Sequence, residues 1–255
     1  MMRTAAGILI TAAVLYAFAC LVLFLSQRSL IFFPQPRRAG SEAGIMKLRV
    51  DDGELNVTTR ALTVPDAVLY FGGNAEDVSG SLPDLAAAFS QQALYLMHYR
   101  GYGGSAGKPS QAALFADALA LFDQVQARHA QVTVIGRSLG SGVALYLASA
   151  RPVARLVLVT PYDSMVELAA GQFPLMPVRY LMTDKFESWR YAPLVKVPTT
   201  LVTAENDAVI PRASTDLLLT RFQPGIARQV VIAGTGHNTV SDSPLYALAL
   251  DASTR

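Results

Sequence analysis

A succession of short, unbroken apolar runs separated by stretches of helical length constrains this chain more than any other feature. The runs are Val68 to Phe71, Leu94 to His98, Val132 to Ile135, Leu156 to Val159, Thr200 to Thr203 and Val230 to Ala233. None alternates polar with apolar, so each reads as a strand covered on both faces rather than half exposed. Gln111 to His129 is the clearest of the intervening helices. Leu114, Ala118, Leu121 and Val125 share one of its faces, and Ser110 is placed to cap its start. Strands of this kind joined by helices build a mostly parallel sheet with helices on both faces. Upstream, IMKLRV and LNVTTRAL flank Asp51-Asp52-Gly53, a hairpin signal. The expectation is an α/β domain of about eight strands that begins with an antiparallel pair. A dinucleotide-binding fold would need a glycine fingerprint after its first parallel strand, and Phe71-Gly72-Gly73-Asn74-Ala75-Glu76 does not supply it.

The chain has 255 residues, of which 52% are hydrophobic, and part of that excess lies at the N-terminus. Ala5 to Leu25 reads AAGILITAAVLYAFACLVLFL without a charge, which at 1.5 Å per residue spans roughly the 30 Å of a hydrocarbon core. Arg3 and Ala17-Phe18-Ala19 resemble the start and cleavage site of a signal peptide. The apolar run continues through Leu21-Val22-Leu23-Phe24-Leu25, which suits an uncleaved anchor better. The expected organisation is an anchor over 1–26, a connector over 27–44 and a catalytic domain over 45–255. Pro34, Pro36 and the Phe32-Phe33 pair give the connector an interfacial character. Arg28, Arg37, Arg38 and Lys47 outnumber Arg3 and lean the domain towards the cytoplasmic side. A net charge of +2 with 16% charged residues argues against a nucleic-acid partner. The single cysteine, Cys20, excludes a disulfide within the chain and a cysteine-based zinc cluster.

The strand Val132 to Ile135 runs directly into Gly136-Arg137-Ser138-Leu139-Gly140, and SGVALYLASA follows as a helix. This is G-x-S-x-G in its working context, a strand, a sharp turn and a helix. The turn leaves almost no room for side chains two residues to either side of Ser138. It also sets Ser138 at a helix N-terminus, where N–H groups favour a developing anion. Ser141 and Ser105 lack such a frame. Of the three histidines, His98 ends a strand and His129 ends a helix, which are structural placements. His237, in Gly234-Thr235-Gly236-His237-Asn238, follows the last apolar strand and is the candidate base. The chain order Ser, acid, His selects an acid between 138 and 237. Asp207 follows the strand Thr200 to Thr203 and suits a carboxylate that orients the imidazole. Glu205 is its nearest rival and Asp163 the next.

The chemistry needs a second N–H donor opposite the backbone of Leu139, and Leu69 to Asp77 ends the first parallel strand in a glycine pair. This loop resembles the His-Gly-Asn-Ala oxyanion loop of the α/β-hydrolase superfamily, specifically of membrane-anchored Bem-type serine hydrolases. Tyr99-Arg100-Gly101-Tyr102-Gly103 with the following Gly107-Lys108-Pro109-Ser110 resembles a second signature of that family. Gln27-Arg28-Ser29-Leu30-Ile31-Phe32-Phe33-Pro34 resembles its post-anchor segment. With Ser138, Asp207 and His237 in order, the similarity covers nearly the whole chain. It implies an α/β-hydrolase fold, a related chemistry in serine aminopeptidases and, more distantly, in protein depalmitoylases, and Asn74 as the second donor with Gly73 as fallback. Gly72 departs from the pattern, because relatives carry histidine there, which puts the rigidity of the loop in question. Tyr99-Arg100-Gly101 reads as a tight turn supporting the active-site floor.

About forty residues separate Leu156 to Val159 from Thr200 to Thr203, where hydrolases of this fold insert a cap. Met165, Phe173, Leu175, Met176, Tyr180, Leu181 and Met182 make that cap apolar, and Pro174 and Pro177 keep it from forming one long helix. Such a lid suits an acyl group better than a sugar or phosphate, although the same residues would also serve simply to pack on the core. The expected activity is hydrolysis of a carboxylic ester or thioester, on a small molecule or an acylated protein at the lipid bilayer. Amide cleavage is the alternative within enzymes, and a non-catalytic scaffold is the alternative outside them. No metal or organic cofactor is expected, since no cluster of ligand side chains surrounds the histidines.

Overall fold

The computed structural model describes residues 2–38 and 44–251. Residue 1 of the expected anchor, part of the expected connector (39–43) and the last residues of the expected catalytic domain (252–255) lie outside the described residues. Eight strands form one sheet: β1 Gly44–Val50, β2 Gly53–Arg60, β3 Asp66–Phe71, β4 Ala93–Met97, β5 Gln131–Arg137, β6 Arg155–Val159, β7 Thr199–Ala204 and β8 Ala227–Ile232. Their order is β1-β2-β4-β3-β5-β6-β7-β8. β1 pairs antiparallel with β2, and β2 antiparallel with β4. All remaining neighbours are parallel.

The continuous apolar strands occupy the middle of the sheet, where both faces are covered. Leu69, Phe71, Val134 and Leu158 pack on one face with α3 (Gln111–Gln126) and α4 (Leu139–Ala150). Val68, Tyr70, Ile135 and Val157 pack on the other with α2 (Leu82–Ala88) and α8 (Leu245–Leu250). Ser110 caps α3 as expected, its hydroxyl accepting the Ala113 N–H at 3.2 Å. The helix ends at Gln126 rather than His129. His129 turns inward instead, where Nδ1 lies 2.7 Å from the Val64 carbonyl and Nε2 lies 2.9 Å from the Tyr95 hydroxyl. β8 begins three residues before the apolar run that marked it. As an edge strand it is mostly half-covered and tolerates Arg228 and Gln229, so its start carries no apolar signal.

The helix α1 runs from Met2 to Ile31 with no buried residue, and it is long and apolar enough to cross a membrane. It continues past residue 26 into the expected connector, because no helix breaker occurs before Pro34. The residues that follow are packed rather than loose. Phe32 is 3% exposed and meets Phe186 edge-on at 6.3 Å. The Phe33 N–H lies 3.0 Å from the Asn74 carbonyl and 2.9 Å from the Tyr102 hydroxyl. The cap between β6 and β7 holds α5 (Met165–Gln172) and α6 (Val178–Leu181), with α7 (Arg212–Leu219) after β7.

Candidate active site

β5 feeds into α4 through a single residue, Ser138, at φ 50° and ψ −117°. A side-chain-bearing residue held there is strained, and the surrounding contacts must hold it in place. Those contacts need the two glycines. A Cβ on Gly136 would collide with the Gly140 carbonyl, and a Cβ on Gly140 would collide with the carbonyls of Phe71 and Gly72. The close approach of α4 to β3 therefore brings the Ser138 turn against the loop that follows β3. Gly142 serves the same closeness on the next turn, where a Cβ would lie 2.5 Å from the Tyr162 hydroxyl.

The loops after β7 and β8 reach the same edge of the sheet as this turn, the carboxyl edge of its parallel strands. There His237 Nε2 lies 3.0 Å from Ser138 Oγ and His237 Nδ1 lies 2.8 Å from Asp207 Oδ2. The other Asp207 oxygen accepts the N–H groups of Val209 at 2.9 Å and Ile210 at 2.8 Å. Burial works to raise the Asp207 carboxyl. Its hydrogen bond to His237 and the two backbone N–H groups outweigh that and hold it below the usual carboxylate range. An ionised carboxylate only accepts, so Nδ1 carries the imidazole proton and Nε2 is left to accept from the Ser138 hydroxyl. The three sequence-derived candidates thus form one hydrogen-bonded chain. Glu205 does not join it, and accepts the Gly234 N–H at 2.8 Å, bracing the histidine loop. Asp163 is bound to Arg221 at 3.1 Å. The Ser141 hydroxyl donates to the Ser138 carbonyl and the Ser105 hydroxyl to the His98 carbonyl. His98 is buried with Nε2 2.8 Å from Thr58 Oγ1, and burial pushes its imidazole down to about 4.

Leu139 N–H opens α4 and has no carbonyl one turn back to receive it. Among the described residues the Asn74 N–H has no acceptor either, and both residues line the cavity beside Ser138. Gly73 does not serve as the fallback donor: its N–H is taken by Glu76 Oε2 at 2.7 Å. Asn74 is held from several sides, since its carbonyl accepts the Tyr102 hydroxyl at 2.6 Å and its amide donates to the Ile31 carbonyl at 3.2 Å. Tyr99 Oη donates to the Gly72 carbonyl at 2.8 Å, so the Tyr99-Arg100-Gly101 turn braces the glycine loop after β3.

Sequence reasoning missed Glu76 and Arg137, which explain the glycine at 72. A Cβ there would lie 2.5 Å from Val78 Cγ1 and 3.0 Å from the Glu76 carboxyl carbon. The carboxylate therefore fills space that a histidine would need, and it supplies the rigidity. Besides Gly73 it accepts Tyr70 Oη at 2.8 Å and Ser81 Oγ at 2.6 Å, and it pairs with Arg137 at 3.2 Å. Arg137 reaches on to the His237 carbonyl at 3.4 Å. This half-buried ion pair thus joins the loop after β3, the Ser138 turn and the His237 loop. The only sequence signal was an arginine inside the elbow, next to the nucleophile, where burial demands a counter-charge. Glu76→Gln leaves Arg137 without that charge. It should cost about 2 kcal/mol of stability and lower kcat roughly tenfold with a smaller change in KM, as chemical denaturation and steady-state kinetics would show.

Ser138, Leu139 and Asn74 open onto a cavity of about 250 Å³. That is near the small end of ordinary ligand pockets, roughly 300–1,000 Å³. Its walls come from the cap (Met165, Phe173, Met176, Leu181, Met182), from Tyr162 and Ile210, and from α1. None of the described residues lining it is charged. Leu175 and Tyr180 of the cap do not line it and are 82% and 90% exposed.

A family profile described as alpha/beta hydrolase fold matches residues 67–185, and the whole sheet agrees with it. The chain is an α/β-hydrolase-fold protein. Its relatives include proteins of the Bem46 and ABHD type. It is 37% identical over 179 residues to the protein Rv2307c of Mycobacterium tuberculosis (strain ATCC 25618 / H37Rv), covering 68% of this chain and 63% of that protein. The chain thus spans a little under two thirds of that relative. It is 30% identical over 167 residues to lysophosphatidylserine lipase ABHD12 of Xenopus tropicalis, covering 56% of this chain and 43% of that one. Among solved structures, the esterase Pf2001 of Pyrococcus furiosus superposes with a TM-score of 0.69 at 15% identity, over 86% of this chain and 97% of that one. At that identity the likeness is one of fold.

Proposed function

We propose that the protein is a membrane-anchored serine hydrolase that cleaves a carboxylic ester or thioester bearing an apolar acyl group. The observation that carries this reading is the Asp207, His237, Ser138 hydrogen-bonded chain opening onto a cavity without a charged wall. In the reaction, Ser138 Oγ attacks the acyl carbonyl as its proton passes to His237 Nε2, and Asp207 stabilises the imidazolium. The oxyanion is held by the N–H groups of Leu139 and Asn74. Collapse expels the alcohol or thiol, which takes the proton from Nε2 and leaves an acyl-Ser138 ester. Water then attacks that ester by the same steps in reverse, releasing the carboxylic acid and regenerating the hydroxyl. The name of ABHD12, a lipase, supports ester chemistry.

Amide cleavage of the aminopeptidase type would need a free carboxylate to receive a substrate amine. The two acids placed for that role are otherwise engaged, Asp163 with Arg221 and Glu167 with Arg179 at 2.6 Å. A non-catalytic scaffold is disfavoured by the complete set of aligned donors and acceptors. Arg28 and the basic residues after it support a cytoplasmic domain. A screen of chromogenic acyl esters of graded chain length against aminoacyl anilides tests the substrate class. Turnover of esters with little or none of the anilides is expected, and the reverse preference overturns the assignment.

A further inference from the structure

The helix α1 is more than a tether, because Leu23, Phe24, Gln27, Leu30 and Ile31 form one wall of the cavity that ends at Ser138. Ala19, Cys20, Leu23, Ser26, Gln27 and Ile31 are the partly covered residues of α1, spaced as one helical stripe. Polar contacts fasten the stripe to the cap. Tyr16 Oη donates to the Leu175 carbonyl at 2.9 Å, and Gln27 Oε1 accepts the Thr183 N–H at 2.7 Å and its hydroxyl at 2.9 Å. Arg28 donates to Asp184, whose other oxygen accepts the Gln111 N–H at the start of α3.

The depth of these contacts follows from helix geometry. Ser26, Gln27 and Arg28 end the uncharged run, so the hydrocarbon boundary falls near Leu25. Tyr16 lies nine residues before it, about 14 Å along the axis at 1.5 Å per residue. The cap tip that touches Tyr16 therefore reaches below the headgroups, somewhat deeper than the ~5–10 Å of interfacial helices. The exposure of Leu175 and Tyr180, costly in water, is satisfied there. Arg179, beside Tyr180, is forked onto Glu167 at 2.8 and 2.6 Å, so this charge on the cap is paired.

Resting on the hydrolase reading above, we infer that α1 is a wall of the acyl site and that the substrate is an acyl ester of a membrane lipid. Its chain enters from the bilayer between α1 and the cap. The wall offers little to a polypeptide. Besides Ser138 its polar side chains are Gln27, already bound to the cap, Tyr162, whose hydroxyl donates to the Leu139 carbonyl, Gln172 and Asn74. An acyl chain needs none of them.

The test uses the full-length protein in phosphatidylcholine nanodiscs with acetyl and lauroyl nitrophenyl esters and an S-acylated peptide. Leu23→Trp fills the cavity from the α1 side and should lower the ratio of lauroyl to acetyl turnover by about tenfold or more. Leu23→Ala enlarges it and should move the optimum to longer chains. Leu25→Trp, on a residue 73% exposed and outside the cavity wall, should leave the ratio as in the wild type. Labelling by a fluorophosphonate shows that each variant is folded and its serine reactive. Equal effects of the Leu23 and Leu25 variants on the ratio would overturn the role of α1. Preference for the S-acylated peptide over both the lauroyl ester and the phosphatidylcholine of the disc would overturn the substrate class. Failure of the folded wild type to label would instead sink the hydrolase reading, and this inference with it.

Discussion

Asp207→Asn is expected to lower turnover by about four orders of magnitude while the protein stays folded. Oδ1 of Asp207 accepts the Val209 and Ile210 N–H groups, and an asparagine carbonyl can keep both bonds. The oxygen facing His237 becomes an NH2 group, which donates. His237 Nδ1 must then accept, so the imidazole proton moves to Nε2 and points at Ser138 Oγ. The base is still present, in the wrong tautomer. Steady-state kinetics beside thermal unfolding separates this from misfolding: a collapse in kcat with little change in Tm is the expected result. A comparable loss of both, or retention of turnover within tenfold, would remove Asp207 from the role assigned to it.

Gly140→Ala is expected to abolish activity for a different reason. The added methyl meets the carbonyls of Phe71, the last residue of the central strand β3, and of Gly72 in the loop after it, backbone atoms that cannot swing aside as a side chain would. Either α4 lifts from the sheet or the loop after β3 moves away, and both displace Asn74 from Leu139. Overpacking of this kind costs roughly 1–3 kcal/mol, and loss of one oxyanion donor costs about 10²–10³ in kcat. Unlike Asp207→Asn, this variant should lose stability and turnover together. Alanine at Gly171, where a Cβ would meet nothing within 4 Å, is the matching control and should change neither.

These contrasts show where the fold was legible. Central strands such as β3, β5 and β6 are covered on both faces, and that burial writes itself into consecutive apolar residues. The start of β8 is not, because an edge strand half-covered by its neighbours accepts Arg228 and Gln229. The nucleophile turn could be read because Gly136 and Gly140 answer to local sterics between near neighbours in sequence. His237 and Asp207 could be placed because strand ends fix where loops emerge. Glu76 with Arg137 was not legible, since their pairing spans 61 positions and depends on how loops fold against each other. The same limit hid the loss of Gly73 as a donor. It also hid the packing of Phe32, whose apolar character suited a membrane interface as well as the protein core.

Covalent capture of the nucleophile tests the central claim most directly. The full-length protein is treated with a fluorophosphonate and analysed by intact mass and by peptide mapping, with Ser138→Ala beside it. A single adduct on Ser138 in the wild type, absent from a folded Ser138→Ala protein, is the predicted result. A folded wild type that takes no adduct, or a Ser138→Ala protein that is labelled equally well elsewhere, would contradict it.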